Sequence, residues 1–333
     1  MHKLQTLKNK KGEVSFRQKL YQQLLEGHEG LTSTIEGTKI HQLNARQSFQ
    51  KLQKSGITLS PYLDLGAASC ARSLILENEF GAKGIAGDLS FETLQFAPIL
   101  AKGLGYKKLP LRIVFDIYHL PFRDNSLPFI VTFQTLHHLP DPGPVFEEIK
   151  RVLPDGGYFY FGEEPIKQTL NLGLWRRGSQ RNPLEKFLMA LCILPFITRI
   201  GRDEVEHGIL EESFSLGNWQ DFLKAFDEIR VEILPFKLGP KSEQLNPPLL
   251  TKIAIFLLGG GINALCKVSK KTKAVKFKNL LEVLACPQCS THPPLISQKI
   301  YFYCPRCEHK YKIKDDIIFL LPKSLEKELY GSI

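Results

Sequence analysis

Tyr62-Leu63-Asp64-Leu65-Gly66-Ala67-Ala68-Ser69-Cys70 is the stretch whose reading decides the fold. A short apolar run closes on an acid and a leucine, and a turn of small residues follows before a helical segment. Only small side chains let backbone come close to a nucleotide-like ligand at such a turn. One turn with a single glycine says little by itself. Its sequel says more, because acid-bearing or polar run-ends recur at regular spacing: Gly87-Asp88-Leu89-Ser90, then Phe115-Asp116, then Phe133-Gln134-Thr135-Leu136-His137-His138, then Leu153-Pro154-Asp155-Gly156-Gly157. Strands are expected near 61–65, 84–88, 111–116, 127–133 and 157–162, alternating with helices. That pattern predicts a doubly wound, mostly parallel α/β sheet covered on both faces. The helix near 145–153 is the clearest. Val145, Phe146, Ile149, Val152 and Leu153 share one face and Glu147, Glu148, Lys150 and Arg151 the other, with Pro144 in its first turn and Gly156-Gly157 after it.

This order of motifs resembles the class I S-adenosylmethionine-dependent methyltransferases, in the broad group that methylates small molecules and lipids. The resemblance implies a seven-stranded Rossmann-like sheet. It also implies roles for particular residues. Asp64 orients the loop and accepts from the cofactor's amino group, and Gly66 is the first glycine of the family's Asp-x-Gly-x-Gly-x-Gly pattern. Ala68 and Cys70 stand where further glycines are usual. Asp88, followed by Leu89, is the expected ribose ligand, Asp116 and Ile117 flank the adenine, and Gln134 contacts the methionine end. Dinucleotide binding competes, since an acid after the second strand serves NAD equally well; no Gly-x-Gly-x-x-Gly is present to support it. Ser126-Leu127-Pro128-Phe129 departs from the family's Phe-Asp-x-Val pattern. If the acceptor must lose a proton, His138 and Glu164 are the candidate bases, a histidine having a suitable pKa. Their alternative is a structural role, pinning the loop.

Four of the seven cysteines form Cys286-Pro-Gln-Cys289 and Cys304-Pro-Arg-Cys307, fourteen residues apart. Two such knuckles supply four thiolates to one tetrahedral zinc, a closed and therefore structural site. Residues 279–322 resemble the small zinc-ribbon proteins that partner tRNA and release-factor methyltransferases; similar ribbons are fused to ribosomal-RNA methyltransferases. Metal-type cysteine usage suits a reducing cytoplasm.

The 333 residues are 43% apolar with a formal charge of +10, enough for two or three units and for acidic partners such as nucleic acid or an anionic membrane surface. No apolar run approaches the roughly 18 residues of a spanning helix, and Met-His-Lys-Leu-Gln begins no signal peptide. The organisation expected is a helical, basic extension over 1–54 and the cofactor domain over 55–268. An apolar helical insertion occupies about 166–225 and 245–261. A linker follows over 269–278, then a zinc ribbon over 279–325. Six lysines in residues 267–278 read as a solvated tether or as an arm for phosphates. Phe187 to Ile197 and Leu249 to Leu258 read as buried lids or as a surface that dips into a membrane. The leading function is methyl transfer to a small-molecule or lipid-linked acceptor, with peripheral membrane contact in reach. An RNA methyltransferase gripping RNA through ribbon and linker is second, and a non-catalytic cofactor-domain protein third. The acceptor and the oligomeric state are not legible.

Overall fold

The computed structural model describes residues 2–26, 28–169, 174–177, 182–191, 198–201, 214–235, 240–272 and 274–331. They form two compact units. One comprises Val14–Thr132, Pro144–Tyr160 and Lys267–Ile333; the other comprises Met1–Glu13, Phe133–Gly143 and Phe161–Cys266.

Two long helices lead the chain, α1 (His2–Glu26) and α2 (His28–Lys54). In the first unit β1 (Tyr62–Leu65) pairs in parallel with β2 (Gly84–Asp88) and β4 (Phe129–Phe133), and β2 pairs in parallel with β3 (Leu111–Phe115). Every residue of β1 is buried, as a strand covered on both faces requires. The connecting helices are α3 (Ala71–Asn78), α4 (Phe91–Leu104) and α5 (Gly143–Val152). The face of α5 expected to be apolar is the face it buries: Val145, Phe146, Ile149 and Val152. Gly87 must be glycine, because a Cβ there would lie 1.8 Å from the Phe115 ring.

The sheet is wider than the seven strands expected. The cysteine-bearing segment folds into β10 (Ile296–Ser297), β11 (Tyr301–Tyr303), β12 (Lys310–Lys314) and β13 (Ile317–Leu320), joined antiparallel in sequence. β13 then adds in parallel to β3, with Ile318 opposite Ile113 and Leu320 opposite Phe115. The reason is local: Ile317-Ile318-Phe319-Leu320 are all buried, and a continuous apolar run needs cover on both faces. Helix α9 (Lys323–Tyr330) follows, and Leu325, Leu329 and Tyr330 pack onto a core that includes Leu94, Ala97 and Phe319. The lysine-rich stretch before the module is not wholly a free tether. Lys270 Nζ donates to the carbonyls of Lys150 and Leu153 at the end of α5, where the helix dipole favours a cation.

In the second unit the last part of β5 (Tyr158–Ile166) neighbours β9 (Gly260–Lys267), which neighbours β8 (Glu228–Pro235). Trp219 on α7 (Leu216–Leu223) is fully buried, stacks on Phe161 at 5.3 Å and donates its indole N–H to the Pro165 carbonyl. The insertion is not purely helical. Beside α6 (Pro183–Ala190) and α8 (Leu249–Leu258) it holds the parallel pair β6 (Leu174–Arg177) and β7 (Thr198–Gly201). The end of the Phe187–Ile197 stretch lies outside the described residues. Among the described residues no helix is long and apolar enough to cross a membrane.

Candidate cofactor site and metal centre

The loop after β1 takes the left-handed backbone three times: Gly66 at φ 66°, Ala68 at φ 46° and Cys70 at φ 63°. Two of these residues carry a Cβ, so the loop keeps a glycine-type conformation that costs about 1–2 kcal/mol at each non-glycine residue. Cys70 is fully buried and is the N-cap of α3 without a side-chain cap bond. Ala68 and Cys70, standing where the resemblance implies glycine, thus hold backbone of the kind glycine adopts most easily.

Asp88 holds this loop from the next strand. Its Oδ2 accepts from the Ala68 N–H at 2.8 Å and its Oδ1 from the Ser90 N–H at 2.9 Å. A carboxylate so fixed at a strand end has lone pairs left to accept from two vicinal hydroxyls. Asp64 lies deeper, almost fully buried, with Oδ2 accepting from Ser73 Oγ at 2.7 Å. Burial pushes its carboxyl up to about 6, against the opposing pull of the Ser73 bond and Arg72. Asp64 thus braces the start of α3 through Ser73, a partner the sequence did not suggest. Asp116 is likewise buried. It accepts from the Tyr118 N–H and pairs with His119 Nδ1 at 3.0 Å, while Ile117 next to it is half-buried. The backbone of Leu89 is pinned from far along the chain. Tyr330 Oη donates to the Leu89 carbonyl at 2.6 Å and accepts from the Phe91 N–H at 3.0 Å.

The remaining predicted residues sit in the second unit. Glu164 is fully buried, and its carboxylate accepts from the N–H groups of Thr135, Leu136 and His137 and pairs with His137 Nδ1 at 2.8 Å. Burial alone would raise its pKa, but the His137 contact and these backbone donors outweigh that and hold it below the usual carboxylate value. Such a group is a staple for the histidine turn. His138 is half-buried, its ring 4.2 Å from that of His137. Gln134 is exposed, at φ 50°, and donates to Glu163 Oε2 at 2.7 Å; Glu163 is itself at φ 60°, its N–H held by Asn263 Oδ1. Neither the strain nor Glu163's part in it was visible from the motif.

In the first unit the four sulfurs of Cys286, Cys289, Cys304 and Cys307 lie within 4.8 Å of one another. Cys286 and Cys307 Sγ are 3.7 Å apart, Cys289 and Cys304 Sγ 3.9 Å. Sulfurs at about 2.3 Å from one tetrahedral ion stand about 3.8 Å from each other. The backbone N–H groups of Gln288 and Cys289 face the Cys286 sulfur, and those of Arg306 and Cys307 face the Cys304 sulfur. Tyr311 Oη lies 3.0 Å from Cys286 Sγ. Two knuckles with outer hydrogen bonds on the sulfurs fit a zinc ion.

Residues 63–161 match the methyltransferase domain family. A stretch of 43 residues is 50% identical to the uncharacterized methyltransferase C1B3.06c of Schizosaccharomyces pombe, covering 13% of this chain and 16% of that protein. The chain thus spans about a sixth of the length of that curated relative. Among solved structures, a SAM-dependent methyltransferase of Thermotoga maritima is 16% identical with a TM-score of 0.42, covering 75% of this chain and all of that one. A SAM-dependent methyltransferase of Methanosarcina mazei is 22% identical with a TM-score of 0.41, covering 66% of this chain and 98% of that one. At such identities neither bears on the acceptor. Residues 63–161 thus carry a methyltransferase domain.

Proposed function

We propose that the chain transfers a methyl group from S-adenosylmethionine to a small-molecule or lipid-linked acceptor. The observation that carries this reading is the carboxylate of Asp88, fixed by two backbone N–H groups beside a loop of three left-handed residues. When bound, the cofactor supplies a methyl group on a sulfonium centre. This chain's residues supply position: Asp88 takes the ribose hydroxyls, and Leu89 and Ile117 border the adenine. Gly66 and Ala68 bring backbone to the ligand, and Asp64 and Asp116 brace the loops from beneath. Positioning and a dry pocket account for most of what such a reaction asks of a protein. Gln134 is the residue for the methionine end. His138 is the group to receive an acceptor proton where one must leave, and Glu164 acts through the turn as a positioning residue. Zinc held by the four cysteines has a structural part, since no ligand position stays open.

Methyl-labelled cofactor added to fractionated extracts with the full chain tests this. Label is expected in the small-molecule or lipid fraction and is lost with Asp88→Ala, which weakens cofactor binding by about 1–3 kcal/mol in calorimetry. Label in RNA instead would overturn the acceptor class. Cofactor affinity unchanged in Asp88→Ala would overturn the site.

A further inference from the structure

Helix α8 departs from the rule that a surface helix turns its apolar side inward. It buries Thr251 and Ile255 and turns its larger side chains out: Leu249 is 70% exposed, Leu250 80% and Phe256 63%, with Ile253 and Leu257 exposed beside them. Their spacing of one, three, three and one places them on a single arc of about 120° at about 100° per residue. Lys252 is half-buried and falls at the margin of that arc, where its stem can lie along apolar surface and its ammonium can reach a phosphate. Five large apolar side chains exposed on one arc make a contiguous apolar face of the kind found at interaction surfaces.

The chemistry around α8 narrows the occupant. From Gln244 to Cys266, the stretch of its own unit that contains it, the sequence holds one cation, Lys252, and no aspartate or glutamate. Within its own unit, Leu184, Phe187 and Leu191 of the α6 segment repeat the arrangement, each more than half exposed at spacings of three and four. The ten residues of α8 are too short to span a bilayer, and an acid-free, outward-facing apolar stripe with a cation at its margin suits the boundary between headgroups and acyl chains. The helix also adjoins the outgoing end of β5: the Phe256 carbonyl accepts from the Thr169 N–H. Gly259 closes it at φ 74°, with no room for a Cβ against the Ile166 carbonyl 2.8 Å away.

We infer that α8 docks the protein on an anionic phospholipid surface, lying in the headgroup region with Leu249, Leu250, Ile253, Phe256 and Leu257 inserted. The inference does not rest on the proposed chemistry, since docking is measured without cofactor or acceptor.

The test is flotation of the full chain with phosphatidylcholine vesicles and with vesicles containing about one-third phosphatidylglycerol. Binding is expected to the second and to be weak to the first. Leu250→Glu/Phe256→Glu should lower the bound fraction at least tenfold, and Lys252→Glu should lower it on the anionic vesicles. Circular dichroism and cofactor affinity should match the parent in each variant. Should the double variant fail to fold, Leu250→Ser, the most exposed position, gives the same comparison. Three results would overturn the inference: no binding of the parent to either vesicle, binding unchanged by the face substitutions, or an oligomer in size-exclusion chromatography that the same substitutions dissolve without any vesicle binding.

Discussion

Replacing Tyr330 by phenylalanine removes one oxygen and unpairs two backbone groups, the Leu89 carbonyl and the Phe91 N–H, on either side of Ser90. A buried polar group left without its partner costs about 1–3 kcal/mol. The site is half-buried, so water recovers part of this, and a total near 2 kcal/mol is expected. Leu89 directly follows Asp88, whose Oδ1 is held by the N–H of Ser90 in the same short segment. Loosening Leu89 and Phe91 therefore frees the carboxylate to sample other rotamers before cofactor arrives. If the whole cost falls on the cofactor-bound state, affinity drops roughly thirtyfold; if half does, roughly fivefold. Calorimetric titration of Tyr330→Phe with S-adenosylmethionine, paired with thermal unfolding, separates the two shares. Cofactor affinity and melting temperature both equal to the parent's would refute the reasoning, because the hydroxyl would then hold nothing that matters.

Ala68→Gly should leave the fold intact and gain up to about 1 kcal/mol, since glycine adopts φ 46° without strain, whereas Ala68→Val should lose about 2 kcal/mol; denaturant unfolding reads both. Glu164→Gln should destabilise by about 2 kcal/mol or more, because a charged acceptor of several donors becomes neutral. Since the folded state holds the Glu164 carboxyl below its unfolded value, its contribution is complete above pH ~4.3 and fades as pH falls through the folded value, a dependence absent from the variant. Asp64 has the opposite sign: raised to about 6 by burial, it makes the parent lose stability as pH climbs from ~4 to ~6, and Asp64→Asn should flatten that limb of the pH–stability curve. One zinc per chain should be found by elemental analysis, with sulfur-only coordination by X-ray absorption, and Cys304→Ser should abolish it and also weaken cofactor binding, because β13 and Tyr330 belong to the same module.

Strand positions were readable because each buried strand is a run of apolar residues closed by an acid or a turn; β1, β2 and β3 lie within a residue or two of where the spacing puts them. The cysteine quartet was readable because metal geometry constrains spacing directly. What escaped was the partner of each polar group. Tyr330 reaches Leu89 across 241 residues, and nothing in Glu-Leu-Tyr-Gly announces a loop clamp. Glu164 lies within β5, where Asp88 closes β2, and its surroundings fold over it and fill its lone pairs with backbone donors. A carboxylate's position in a motif does not say how many donors will meet it. The same holds for β13: its apolar run called for burial but could not say against which edge.

Parallel addition of β13 to β3 also sets a timetable for the chain. Leu111–Phe115 has β2 on one side as soon as it is made, but its other edge stays open until Ile317–Leu320 has been synthesised. Roughly two hundred residues separate the two, on the order of 10–40 s of translation at about 5–20 residues per second. Throughout that interval the nascent protein displays an unpaired, apolar strand edge, the feature most prone to pairing with a neighbouring chain. Chaperone occupancy over this interval becomes a determinant of yield. A chain interrupted anywhere before residue 317 inherits that edge permanently.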